Sequence, residues 1–121
     1  MPFGPRTLDL LARTEEVEIE TRSAAGTVHR TIIWIVVDDR RAFVRSVNGA
    51  TARWYREATG DPSVAIHVAG ERIPASVVDA TDTDSVARTS AGLERKYAGD
   101  PSLPSMLREE VLGTTLRLDP A

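Results

Sequence analysis

Between Glu15 and Thr21 the chain alternates cleanly: Val17, Ile19 and Thr21 fall on one face, and Glu16, Glu18 and Glu20 on the other. A period of two with one charged face predicts a half-buried antiparallel strand whose acidic side also discourages edge-to-edge association. The next run, Thr27 to Val37, differs in kind. Ile32, Trp34 and Val36 lie on one side, and Ile33, Ile35 and Val37 on the other. A strand apolar on both sides must be covered twice. In a small antiparallel protein one cover is a barrel interior and the other is a helix or a second subunit, which points to a homodimer. Asp38-Asp39-Arg40 turns this run into a strand over Ala42–Val47, closing a hairpin.

Helical spacing interrupts the strands in four places. Leu8, Leu11 and Ala12 predict a short helix over Thr7–Arg13, after a loose N-terminal stretch within residues 1–14. Thr51, Trp54, Tyr55 and Ala58 share one face of a helix over Thr51–Thr59, ended by Gly60-Asp61-Pro62, with Arg53 and Glu57 paired at i, i+4 on another face. Asp82 or Asp84 can cap a third helix that carries Val86, Ser90, Leu93 and Tyr97 on one side and stops at Gly99. A fourth spans about Ser105–Leu112 and closes at Gly113. Further strands follow over Ser63–Ala69, Arg72–Val78 and Thr114–Leu118. Gly70-Glu71 serves as a two-residue turn between the first two of these, and Pro74 marks an edge or bulge. Six short strands wound this way favour a closed or nearly closed barrel, mainly β with short helices, over an open sheet, because closure removes edges. The regular strand–helix alternation of a parallel α/β fold is missing.

Composition narrows function more by exclusion than by motif. At 121 residues the chain fits a single domain able to bury a core without staples. It has no cysteine, which excludes disulfides, thiolate zinc sites and thiol nucleophiles. With only His29 and His67 available, an imidazole metal cluster is not expected, and no metal is. The formal charge of −3 argues against bulk nucleic-acid or anionic-membrane binding. No signal-peptide pattern and no apolar stretch of transmembrane length is present, so a cytoplasmic location is expected. Basic residues are arginine except for Lys96, which suits phosphate recognition and also fits a simple compositional bias. No catalytic motif stands out.

The stretch Phe43 to Arg56 delivers Ser46 into the small-residue turn Val47-Asn48-Gly49-Ala50 and then at once into a helix carrying Arg53. Backbone N–H groups at a helix start, together with a guanidinium, make a plausible anion cradle. Arg30-Thr31 with Ile33-Trp34, Val44-Arg45-Ser46 with Gly49, Arg53-Trp54-Tyr55, Asp61-Pro62-Ser63-Val64 and the closing Thr115-Leu116-Arg117-Leu118 together resemble the flavin-reductase-like split β-barrel superfamily. Within it they resemble the deazaflavin-dependent nitroreductases and a related uncharacterised family of short split-barrel proteins. The similarity runs from about Glu15 to Pro120.

The resemblance implies a six-stranded antiparallel split β-barrel whose two subunits hold FMN or a deazaflavin coenzyme in the groove between them. Arg30, Thr31, Ser46, Asn48 and Arg53 would reach the cofactor phosphate, and Trp54 and Tyr55 would shape the ring pocket. The chain departs from the nitroreductase pattern at Glu57, where asparagine is usual, and at Val47, where lysine is usual; both changes weaken a phosphate site. Two functions stay open. One is a flavin-type oxidoreductase passing hydride to a small organic acceptor. The other is a cofactor-free homodimeric module of the same fold that binds a small ligand or only its twin. Each candidate also has a structural reading: Arg30 beside Trp34 at a rim, Arg53 paired with Glu57, Ser46 and Asn48 as turn chemistry, and Trp54 and Tyr55 as core. His67 and Tyr97 read as structural, and His29 as exposed.

Overall fold

The computed structural model describes residues 1–121. Seven strands form one antiparallel sheet: β1 (Glu16–Arg22), β2 (Val28–Trp34), β3 (Val36–Asp38), β4 (Arg41–Val44), β5 (Ser63–Val68), β6 (Glu71–Asp79) and β7 (Leu116–Pro120). Their spatial order is β2-β1-β5-β6-β7-β4-β3. Five helices accompany them: α1 (Pro5–Arg13), α2 (Arg53–Gly60), α3 (Thr83–Lys96), α4 (Leu103–Met106) and α5 (Glu109–Leu112), with a single 3-10 turn at Gly49–Thr51.

Seven strands stand where six were expected because the apolar run from Thr27 to Val37 serves two of them. β2 pairs with β1 as far as Trp34, β3 pairs with β4 from Val36, and only Ile35 lies between. Since β2 and β3 end the strand order on opposite sides, the sheet curls into a half-barrel whose two edges meet at this residue. Its two-sided apolar pattern follows. Ile33 and Ile35 join the barrel core with Val17, Ile19, Ile66 and Leu118, and Val37 packs against it. Trp34 packs against a second cluster beneath α3, formed by Val36, Phe43, Ala80, Leu93, Tyr97 and Met106. Each fully buried aliphatic side chain of these clusters stabilises by about 1.5–3 kcal/mol.

Ile35 is fully buried, so its peptide groups need partners. Its N–H donates to the Tyr97 hydroxyl at 3.2 Å, and that hydroxyl donates to the Glu15 carbonyl at 2.5 Å. The Lys96 ammonium donates to the Ile35 carbonyl at 2.6 Å and to the Leu11 carbonyl at 3.0 Å. Burial pushes Lys96 down to about 8 and Tyr97 up to about 12. The Tyr97 ring stacks on Trp34, with centroids 3.9 Å apart and planes 3° from parallel. α3 can approach β3 this closely because of Gly92, where a Cβ would lie 3.2 Å from that of Val36. Asp82 caps α3, accepting from the Ser85 N–H at 3.0 Å.

Several boundaries differ from the sequence expectation for identifiable reasons. The β4 strand ends at Val44 rather than Val47, because Ser46 donates its N–H to Thr114 Oγ1 instead of to a strand. The turn between β5 and β6 uses Ala69 and Gly70, at φ 51° and 76°, one residue earlier than Gly70-Glu71; paired positive φ values match the twist of a hairpin. The helix expected over Ser105–Leu112 is two four-residue turns, α4 and α5, separated by extended Arg108, which donates to the Val47 carbonyl at 2.7 Å. Pro74 lies inside β6, yet β7 pairs only with Ala75 onward. Its carbonyl accepts from Ala121 at 3.4 Å on that side, so the missing N–H faces the margin where no ladder bond is lost.

Tyr97→Phe keeps the stack on Trp34 but strips the Ile35 N–H and the Glu15 carbonyl of their partner. It is expected to lower unfolding free energy by about 1–3 kcal/mol in urea titration. An unchanged midpoint would show that the seam does not need the hydroxyl.

Candidate ligand-binding cleft

Where the half-barrel fails to close, β2 presents an unpaired edge. A cleft of about 340 Å³ runs along it between Thr31–Trp34 on one bank and Arg45, Val47 and Asn48 on the other, with Asp100, Ser102 and Met106 at one end. That volume lies at the lower end of the range for small-molecule sites. Both tryptophans of the chain, Trp34 and Trp54, line it. Tyr97, stacked behind Trp34, does not, so this indole is a wall between seam and cleft. Ile32 on the rim is 62% exposed.

Arg45 is 2% exposed and has no carboxylate within ion-pairing distance. Its donors are met by neutral groups: Thr115 Oγ1 at 3.0 Å, Ser90 Oγ at 3.0 Å, and the carbonyls of Met106 at 3.0 Å and Val86 at 3.2 Å. Burial lowers it to about 10, still far above neutrality. The cation therefore persists, with four of its five N–H groups hydrogen-bonded and no ion pair, beside a cleft with aromatic walls that Glu16 and Asp100 also line.

Of the residues singled out by sequence, Thr31, Asn48 and Trp54 line this cleft together. Arg53 is one hydrogen bond away, its Nη2 donating to Thr31 Oγ1 at 3.2 Å, and it also stands 3.9 Å from Glu57 as the helical spacing implied. The others are occupied elsewhere. Arg30 follows the opposite face of β2 from Thr31, 3.8 Å from Glu18. Ser46 is fully buried and donates its hydroxyl to the Gly49 carbonyl at 2.7 Å, locking the turn. Tyr55 packs edge-on against Trp54, centroids 6.1 Å apart, where burial and then the Asp79 charge push its hydroxyl up. Sequence reasoning did not place Trp34 and Arg45 in the cleft. The available signal was one arginine inside the apolar run from Ala42 to Val47, which has to find buried acceptors.

The profile of the family described as "uncharacterized protein conserved in bacteria (DUF2255)" matches residues 7–118. The chain belongs to this family. Comparison of the sequence with curated proteins gives no match. Solved structures share the fold of this DUF2255 chain at low identity. A candidate pyridoxamine 5'-phosphate oxidase from Listeria innocua is 13% identical, with a TM-score of 0.66 over 95% of this chain and 90% of that one. The heme storage protein HutZ from Vibrio cholerae is 15% identical, with a TM-score of 0.65 over 100% and 92%. An F420 reductase is 16% identical, with a TM-score of 0.65 over 100% and 96%. The architecture is thus that of split-barrel proteins.

No group of three or more His, Cys, Asp or Glu side chains comes together to hold a metal ion. No helix is long and apolar enough to cross a membrane. The two histidines serve carboxylates. His29, expected to be exposed, is half-buried, with Nδ1 3.1 Å from both Glu57 oxygens. Burial pushes the Glu57 carboxyl up, but the hydrogen bonds of Thr21 and His29 and the nearby Arg53 charge bring it below its ordinary value. On the outer face, Glu20 accepts from Arg72 at 2.8 and 3.1 Å, and His67 Nε2 lies 2.7 Å away. The β1 carboxylates are thus not uniformly solvated: the Glu20 side chain is only 14% exposed.

Hydrogen bonds from Arg72 and then His67 hold the Glu20 carboxyl down to about 2. A carboxyl depressed on folding stabilises fully above its unfolded value of 4.5, and that contribution is lost as pH falls toward 2. Chemical denaturation between those limits should show a loss of about 1–2 kcal/mol after allowance for solvent screening. Glu20→Gln should flatten it; a variant with the wild-type acid slope would assign the loss to other carboxylates.

Proposed function

We propose that the cleft along the open edge of β2 holds a flat, electron-accepting cofactor of the flavin type, FMN or a deazaflavin coenzyme, and that the protein acts as an oxidoreductase toward a small organic acceptor. The observation that carries this reading is the convergence of both tryptophans on a cleft flanked by a buried guanidinium that makes no ion pair. Indole faces offer contact area to a planar ring. The Arg45 charge favours a ring that gains electron density, since a buried cation interacts with negative charge far more strongly than a solvated one. Thr31 and Asn48 supply polar contacts, and Arg53 offers charge at the end of the cleft nearest α2. A flavin supplies hydride transfer, and the protein contributes binding, orientation and electrostatics. The F420 named for one fold relative agrees with this reading.

A homodimer completes the proposal. β2 is an edge strand with two apolar side chains turned outward, Val28 at 50% and Ile32 at 62% exposure. A second copy laid against that edge would cover both and roof the cleft. The alternative, a cofactor-free dimeric module of the same fold, draws support from the engagement of Ser46 and Arg30 within the protein itself.

Because both tryptophans line the cleft, their fluorescence reports on it directly. Titration with FMN and with the deazaflavin coenzyme is expected to give saturable quenching, and Arg53→Ala should weaken binding by about 1–3 kcal/mol. Absence of quenching by either cofactor at tens of micromolar would favour the cofactor-free module. Size-exclusion chromatography with light scattering is expected to give twice the 13.2 kDa chain mass. Ile32→Arg should shift it to the monomer, and a monomeric wild type would remove the dimer from the proposal.

A further inference from the structure

A second cleft, of about 530 Å³, opens between the turn that follows β1 and the exposed face of α2. Three guanidinium groups line it: Arg22 at the end of β1, and Arg53 and Arg56 on α2. Nine of the fourteen arginines hold a carboxylate within 4.0 Å. Arg45 is buried among neutral acceptors, which leaves Arg6, Arg22, Arg40 and Arg56 without one. Two of those four meet in this single cleft, where Arg53 joins them.

The carboxylates nearby cancel this charge only in part. Glu57 is taken by the Thr21 hydroxyl at 2.8 Å, by His29 and by Arg53. Asp61 accepts from the Ser63 N–H at 3.3 Å. With His29 neutral the cleft carries one net positive charge, three arginines against two carboxylates, in a chain whose formal charge is −3. The turn on one side is also pinned. Ser23 Oγ accepts from the Thr27 N–H at 3.0 Å across the turn, and Gly26 there adopts φ 87°. The guanidinium fork matches tetrahedral oxyanions through paired N–H donors.

We infer that this cleft binds a phosphate monoester or inorganic phosphate, with Arg22, Arg53 and Arg56 as its counter-charges and the His29–Glu57–Thr21 cluster as the support that aims Arg53. The inference does not rest on a ring occupying the β2-edge cleft.

Arginine Nε–H and backbone amide resonances followed by NMR, with calorimetry, test it on the intact protein. Inorganic phosphate and glycerol phosphate serve as probes, against chloride at matched ionic strength. Saturable shifts centred on Arg22, Gly26 and Arg56 are expected. Arg22→Gln and Arg56→Gln should each weaken binding about tenfold, the lower bound for losing a charge-assisted contact. Arg6→Gln, the same charge change on α1, should leave affinity unaltered. Tighter binding of the ester than of inorganic phosphate would identify an esterified ligand, and equal binding the free ion; either supports the site. Shifts that fail to saturate, that chloride reproduces, or that Arg6→Gln diminishes equally would overturn it. Tryptophan fluorescence reads the other cleft, so a failed cofactor titration leaves this result standing.

Discussion

The half-barrel depends on one buried peptide. Ile35 belongs to neither ladder, and it joins the strand at one end of the sheet to the strand at the other. Curling the sheet until those edges meet leaves an N–H and a C=O stranded in an apolar interior, a cost of about 1–3 kcal/mol for each group left without a partner. The C-terminal end of α3 resolves this by supplying a hydroxyl and an ammonium from consecutive residues, Tyr97 and Lys96. The helix thereby has a fixed place on the barrel, and the stack on Trp34 follows from it.

That arrangement also makes the cleft. β2 runs past the meeting point with its outer edge unpaired, while the chain after β4 leaves the sheet at Arg45 to make its contacts beneath α3 and α4. The gap between the two is bounded by side chains held for structural reasons: Trp34 by Tyr97, Trp54 by the barrel core, and Arg45 by four neutral acceptors. Walls fixed in this way would lose little freedom on contact with the proposed ligand.

Much of this was legible in the sequence, and the failures have physical causes. The alternation in β1, the Asp82 cap, the Arg53–Glu57 pair and the core role of Tyr97 could each be read from local spacing. The run through Ile35 could not, because a break in hydrogen bonding that preserves side-chain parity leaves the apolar pattern unchanged. Only long-range pairing reveals that one run is two strands. The requirement for two covers was readable, and α3 meets it at Trp34 and Val36 while Ile32 stays open. Of the residues picked out by type and position, Thr31, Asn48 and Trp54 share the cleft. Ser46 and Arg30 were not separable from them, since a hydroxyl that locks a turn and one that faces a ligand look alike until the Gly49 carbonyl is seen to accept it.

Gly92 gives this geometry a further consequence. Where α3 crosses β3, its backbone comes close enough to Val36 that a side chain as small as a methyl would press on it. The point of contact lies just over one turn from Tyr97. The helix is therefore seated at residue 92, and a side chain larger than a methyl there would bear on buried Val36, next in the chain to the Ile35 peptide that the end of the helix serves.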